Sequence, residues 1–274
     1  AKQIGYGYQA EGMTVKRSST DKMTWKFSAS NVHDFAWAAD PDYKHTKLTS
    51  ANGTTMHFLY QPGEDTDEVW ERLPSIMDKA LDFINKTYGE YPYKQYTIIQ
   101  GGDGGMEYPM ATLITGERNL GSLVGVSVHE LMHSWYQMMM GTNEALYAWM
   151  DEGFTSYASA EVMNYLKKEG LILGSDPTEF PHARSTEGLS RWSKSGFDEA
   201  LTTHADHFNR NQAYSIAAYV KGEVFLNELN YIVGQENFDK AMMTYYDLWK
   251  GKHPNPNDVI RIFEKQADME LDWF

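Results

Sequence analysis

Apolar and polar positions along this chain change their period as the sequence proceeds. Over residues 1–60 they alternate in short runs rich in Thr, Tyr, Trp and Val, as in MTVKRS and MTWKFSAS, broken by Asp40-Pro41 and Asn52-Gly53. A period near two with turn dipeptides between runs predicts short strands. In EDTDEVWERLPSIMDKALDFINKTYG (64–89) the apolar positions take a helical period, acidic residues crowd the first turn and Gly89 follows the last, which predicts a helix. YTIIQGG (96–102) predicts a short buried strand. MEYPMATLITG (106–116) predicts a second, with Pro109 confining it to a sheet edge because proline has no N–H for a neighbour. Helices are expected near 121–140, 144–165, 211–233, 235–250 and 256–268, around a polar, loop-rich stretch at 170–210. Strands, then a mixed region, then helices make the expected class α+β, not an alternating βαβ order. A β-rich segment is expected over 1–60 and a second domain over 61–274.

Composition narrows the function. The 274 residues, 42% hydrophobic and 14% aromatic, are enough to bury a core. A net charge of −14 leaves no basic face for phosphates and argues against nucleic acid as a partner. There is no cysteine, which removes disulfides and thiolate metal sites and fits an extracytoplasmic location without fixing one. No run of about 18 apolar residues occurs, so no membrane span is expected. The chain opens AKQIGYGY, with neither an initiator methionine nor a signal-peptide pattern, and closes MELDWF. Both ends read as cuts, so further domains of a longer chain are expected beside it.

The chemistry concentrates in VSVHELMHSW (126–135). His129 and His133 stand four apart, hence on one face of a helix, where two imidazole nitrogens converge on one ion. Glu130 is turned about 100° from His129 and reaches a water bound to that ion, not the ion itself. Val124, Val126, Val128, Leu131, Met132 and Trp135 surround the trio with apolar mass, which makes the imidazoles costly unless something satisfies them. A catalytic zinc wants three protein ligands and one open position. YAWMDEGFTSYASAE (147–161) reads as a helix after the short turn MGTNE, and two helices so joined pack antiparallel. That returns Glu152, in apolar surroundings, beside the histidine pair as third ligand; a cap or a salt bridge is its bland alternative.

With HELMHSW followed by the glutamate of WMDEGF, the chain resembles the aminopeptidase N family of gluzincin zinc peptidases over residues 60–270. The resemblance implies a thermolysin-like catalytic domain: a mixed sheet with an edge strand at the cleft, plus a mostly helical lobe. It implies one zinc ion per chain on His129, His133 and Glu152, with Glu130 as general base. GGMEYP (104–109) resembles the family's Gly-x-Met-Glu-Asn motif, whose glutamate, here Glu107, binds the free α-amino group of a peptide. Gly104, Gly105 and Met106 complete that substrate-binding stretch, the glycines letting backbone approach the peptide. Tyr108 stands where the family usually has Asn, so the shape of the first specificity pocket departs from the pattern. AAYVKGEVFLNEL (217–229) resembles the family's Tyr-Glu-Lys-Gly helix; Tyr219 then donates to the oxyanion, and Val220 replaces the usual Glu.

The expected activity is zinc-dependent hydrolysis of the N-terminal peptide bond of a substrate with a free N-terminus. A thermolysin-like endopeptidase and a non-catalytic zinc- or peptide-binding module are the alternatives. Epoxide hydrolysis, which one branch of the family performs, has no residue here in its favour. His204 and His207 in HADHF read as surface residues, and GGDGG (101–105) lacks the Lys-Ser/Thr and helix of a phosphate loop.

Overall fold

The computed structural model describes residues 16–17, 23–24, 27, 29–172 and 176–274. The strands expected in MTVKRS and MTWKFSAS fall largely outside the described residues. Their described parts, β1 (Lys16–Arg17) and β2 (Met23–Thr24), pair antiparallel. The chain divides into two compact units, one of residues 1–82 and 91–131, the other of residues 83–90 and 132–274.

The first unit is built on a five-stranded mixed sheet. β3 (Lys44–Thr49) and β4 (Thr55–Tyr60) form an antiparallel hairpin whose turn holds Gly53 at φ 88°. β5 (Gln95–Gln100) runs parallel to β4, and β7 (Ala111–Ile114) parallel to β5. β6 (Gly105–Tyr108) closes the order β3-β4-β5-β7-β6 antiparallel to β7. β5 is buried on both faces from Gln95 to Ile99, the polar Gln95 and Thr97 included. α1 (Asp67–Tyr88) places Trp70, Leu73, Met77 and Leu81 in the core, with Trp70 stacked on Tyr60 at 5.0 Å and donating Nε1–H to the Gly116 carbonyl at 3.1 Å.

One expectation needs correction here. The single strand expected over 106–116 is two strands, β6 and β7, because Pro109 and Met110 reverse the chain, Met110 at φ 59°. Pro109 marks a turn, and the sheet edge belongs to β6. β3 and β4, from before residue 60, share their sheet with β5–β7. Residues 44–60 look like the stretch before them in composition but pair with the strands after them.

α2 spans Leu120–Met132, and His133 follows it with helical φ −59° and ψ −19°. The helix expected over 121–140 then widens into a π-type segment, Ser134–Met139, and breaks at Tyr136 (φ −92°, ψ 104°) and Gln137 (φ 104°, ψ −66°). No glycine or proline announces the break. Gln137 holds a left-handed backbone that costs a side-chain-bearing residue of order 1–3 kcal/mol, and its amide donates to the Glu144 carboxylate.

The second unit is helical: α3 (Ala148–Lys168), α4 (Ala183–Trp192), α5 (Asn211–Ser215), a π-type turn at Ile216–Lys221, α6 (Gly222–Val233), α7 (Gln235–Trp249) and α8 (Pro256–Ala267). Its core is aromatic, with Phe154 against Tyr136 at 5.0 Å and Tyr245 at 5.5 Å, and Phe238 against Phe263 at 5.2 Å. α8 starts with a reciprocal Asn255–Asp258 capping box and Pro256 at its first position. α4 lies inside the stretch expected to be loop; none of its residues is buried, so it leaves little apolar period to read.

Candidate metal and catalytic site

In the first unit, α2 presents Glu130 to the edge of the sheet. A Cβ added at Gly105 would collide with the Glu130 carboxylate, reaching 2.9 Å from its Cδ and 3.1 Å from Val126 Cγ2. The missing side chain at Gly105 therefore makes room for Glu130, whereas one at Gly104 would enter open space. Glu107, two residues along β6 and on the same face as Gly105, brings a carboxylate oxygen within 4.8 Å of one on Glu130. Strand alternation turns Met106 and Tyr108 to the opposite face, and Met106 is exposed, so Met106 is not grouped with the two carboxylates. Arg118 fixes the preceding loop by donating to the Gly104 carbonyl at 2.9 Å.

Tyr96 on β5 is a neighbour that its residue type did not single out among 18 tyrosines. Burial first, then the charges of Glu130 and Glu107, push its phenol well above the ordinary value, so it stays neutral beneath them.

His129 and His133 stand four residues apart along the chain, His129 within α2 and His133 just after it at helical φ and ψ. His133 is buried and held from both sides. Its Nδ1 lies 2.6 Å from Asp151 Oδ1 and 3.2 Å from Thr155 Oγ1, and its Nε2 lies 3.4 Å from Glu152 Oε2. All three partners come from the first two turns of α3, whose N-terminus favours carboxylates. Burial opposes a charged His133 ring, yet Asp151 and then Glu152 outweigh it and hold the imidazole well above its usual range. With Nδ1–H given to Asp151, Nε2 and a carboxylate oxygen face one another, an arrangement that needs a proton or a metal ion to be favourable.

The donor set fits zinc. Tetrahedral bonds of about 2.0–2.1 Å separate two ligand atoms by roughly 3.3–3.4 Å, and the Nε2–Oε2 distance here is 3.4 Å. Within the second unit, His133 and Glu152 thus offer a nitrogen and an oxygen at the separation two ligands of one zinc ion would take.

Tyr219 lies in the π-type turn before α6 and donates its hydroxyl to Glu152 Oε1 at 2.6 Å. Burial, followed by the Glu152 charge, raises its pKa, so the phenol remains a donor across ordinary pH. The approach of α6 to α3 that permits this contact depends on two glycines. A Cβ on Gly153 would stand 2.7 Å from Gly222 Cα, and one on Gly222 would stand 2.8 Å from Gly153 Cα. Lys221, beside Gly222, is tied to Asp198 at 2.8 Å.

Asp151 and Thr155 were not foreseen. The signal was present in the i, i+4 spacing of two polar residues around a proposed ligand, within an otherwise apolar stretch. His204 and His207 sit at the surface as expected, their ring centroids 4.8 Å apart and His204 Nδ1 accepting from Asp206 N–H at 3.1 Å.

A family model described as Peptidase family M1 domain matches residues 75–274. Among curated relatives, leucine aminopeptidase 2 of Chaetomium globosum is 29% identical over 206 residues, which cover 70% of this chain and 32% of the relative. Aminopeptidase B of Rattus norvegicus is 25% identical over 203 residues, covering 70% and 31%. The chain thus spans about a third of the length of these relatives. An M1 zinc metallopeptidase from Deinococcus radiodurans superposes with a TM-score of 0.63 at 17% identity, over 82% of this chain and 48% of that one. At that identity the likeness speaks to the fold, a mixed sheet with helices.

Proposed function

Because the chain belongs to peptidase family M1, we propose that it carries the catalytic machinery of a zinc aminopeptidase, on a thermolysin-like domain. The observation that carries this reading is the His133 Nε2–Glu152 Oε2 pair at 3.4 Å, with His133 Nδ1 already engaged by Asp151 and His129 one turn away. In this reading His129, His133 and Glu152 hold one zinc ion per chain. When bound there, zinc supplies Lewis acidity to the scissile carbonyl and lowers the pKa of a water.

The remaining steps belong to the chain's own side chains. Glu130 takes the proton of the attacking water and returns it to the leaving amine. Tyr219 turns its hydroxyl to the carbonyl oxygen as negative charge grows there. Glu107 binds the substrate ammonium. Its closeness to Glu130 supports this, since two carboxylate oxygens within 4.8 Å favour a cation beside them. Backbone around Gly104 approaches the peptide, and β6, as an edge strand, has an unpaired side on which an extended substrate can add. For Met106, we keep a contact with the substrate from the outer face of β6. The expected partner is a peptide with a free N-terminus. Among the described residues no helix is long and apolar enough to cross a membrane. The greater length of the relatives supports further domains in the full-length protein.

The test compares free and N-acetylated leucyl- and alanyl-anilides alongside zinc content. Hydrolysis of the free-amine substrates alone, with one zinc bound, is the expected result. Preference for the blocked substrates would make the protein an endopeptidase, and zinc without turnover a binding module.

A further inference from the structure

Resting on the zinc-peptidase reading, we propose that Asp151 is a positioning residue for the metal. Its carboxylate accepts the Nδ1–H of His133 and thereby presents the Nε2 lone pair toward Glu152, forming a carboxylate–histidine–metal relay.

Three observations carry this. First, Asp151 is itself buried and in the first turn of α3, so its charge is kept out of water by the fold. Placing a carboxylate there costs free energy unless a specific partner repays its desolvation. Second, that partner is His133 Nδ1 at 2.6 Å, a length characteristic of a charge-assisted bond. Thr155, four residues on along the same helix face, meets the same nitrogen from 3.2 Å and limits rotation of the ring. Third, Asp151 and Glu152 are adjacent in sequence yet address opposite nitrogens of one imidazole. One helix turn therefore sets both the ligand oxygen and the orientation of the ligand nitrogen. An ionised acceptor on Nδ1 also makes Nε2 a stronger donor to a metal than a neutral acceptor would. Asn at this position would keep the shape and an acceptor oxygen but lose the charge, so charge and geometry can be tested apart.

The experiment measures zinc affinity of the metal-stripped protein by competition with a chelator, for wild type, Asp151→Asn and Asp151→Glu. Far-UV circular dichroism and the apo melting temperature serve as folding checks. Asp151→Asn is expected to bind zinc about 10–100-fold more weakly while keeping a folded far-UV spectrum and a cooperative apo melt, and Asp151→Glu to recover part of the loss. In the zinc-loaded protein the His133 Nδ1 proton, followed by ¹⁵N-edited NMR, is expected far downfield in wild type and upfield of that in Asp151→Asn. Equal zinc affinity of wild type and Asp151→Asn would overturn the proposal. So would a wild-type Nδ1 proton at an ordinary shift, which needs no variant to fold. A wild type that binds no zinc at all would instead defeat the zinc-peptidase reading on which the proposal rests, and the two failures are told apart by that first titration.

Discussion

Tyr219 donates its hydroxyl to Glu152 Oε1 across 2.6 Å, while Oε2 is the oxygen that faces His133. Burial and the neighbouring carboxylate raise its pKa, so the phenol is a donor at neutral pH. Tyr219→Phe removes that donor while keeping the ring. The expected result is a fall in kcat of about 10²–10³-fold with KM changed only a few-fold; a rise in KM alone would assign the hydroxyl to ground-state binding. Other residues behave less as their letters suggest. Gly105, in a stretch that resembles a substrate-binding motif, yields space to Glu130. His129, Glu130, His133 and Glu152 stand out in the sequence because helical spacing of candidate ligands is something a sequence records. Asp151 and Thr155 share a helical spacing too, but that spacing alone does not say which ring they meet.

At the scale of elements, α3 is the organiser. Its first two turns supply Asp151, Glu152 and Thr155 to His133, and Gly153 lets α6 approach. Further along, Tyr157 stacks on His182 at 4.4 Å, and Glu161 meets His182 Nε2 at 3.0 Å. From α6, Glu223 meets His182 Nδ1 at 2.8 Å and accepts from Ser185 Oγ at 2.7 Å. Burial opposes a charge on His182, but the two carboxylates prevail and raise its pKa above the usual value. A raised folded pKa contributes stability that is complete below the unfolded value near 6.5 and is lost as pH climbs through the folded one. The melting temperature should therefore decline as pH rises above neutrality, and His182→Gln should flatten that slope; an unaltered slope in the variant would remove His182 as its source. His182 was invisible in the sequence because it lies in a polar stretch whose helix, α4, buries nothing. The break at Tyr136 and Gln137 was hidden for the opposite reason, an apolar run with no glycine or proline to mark where the helix stops. Pro109 was read correctly as lacking a donor, yet the chain uses that lack to turn.

At the scale of the whole molecule, the overall class was legible from the order of periods, strands before helices. The pairing of β3 and β4 with β5 was not, because sheet membership is decided by pairing between distant strands and not by local composition. The second unit brings together His133 after α2, Glu152 of α3 and Tyr219 of the turn before α6, so an ion bound there, as proposed, would tie together segments that are far apart in sequence. A ligand that binds the folded state alone adds about 2.7 kcal/mol at one hundred times its Kd. Zinc removal by a chelator is then expected to lower the melting temperature by about 5–10 °C, read by calorimetry with and without added zinc; identical melting curves would refute a folded-state ion site.

Where α3 and α6 cross, Gly153 and Gly222 meet backbone to backbone, with no side chain of either between them. The near approach of the two backbones limits how far apart the Glu152 carboxylate and the Tyr219 hydroxyl can stand, so a side chain introduced at either glycine would have to wedge the helices open and stretch that 2.6 Å bond.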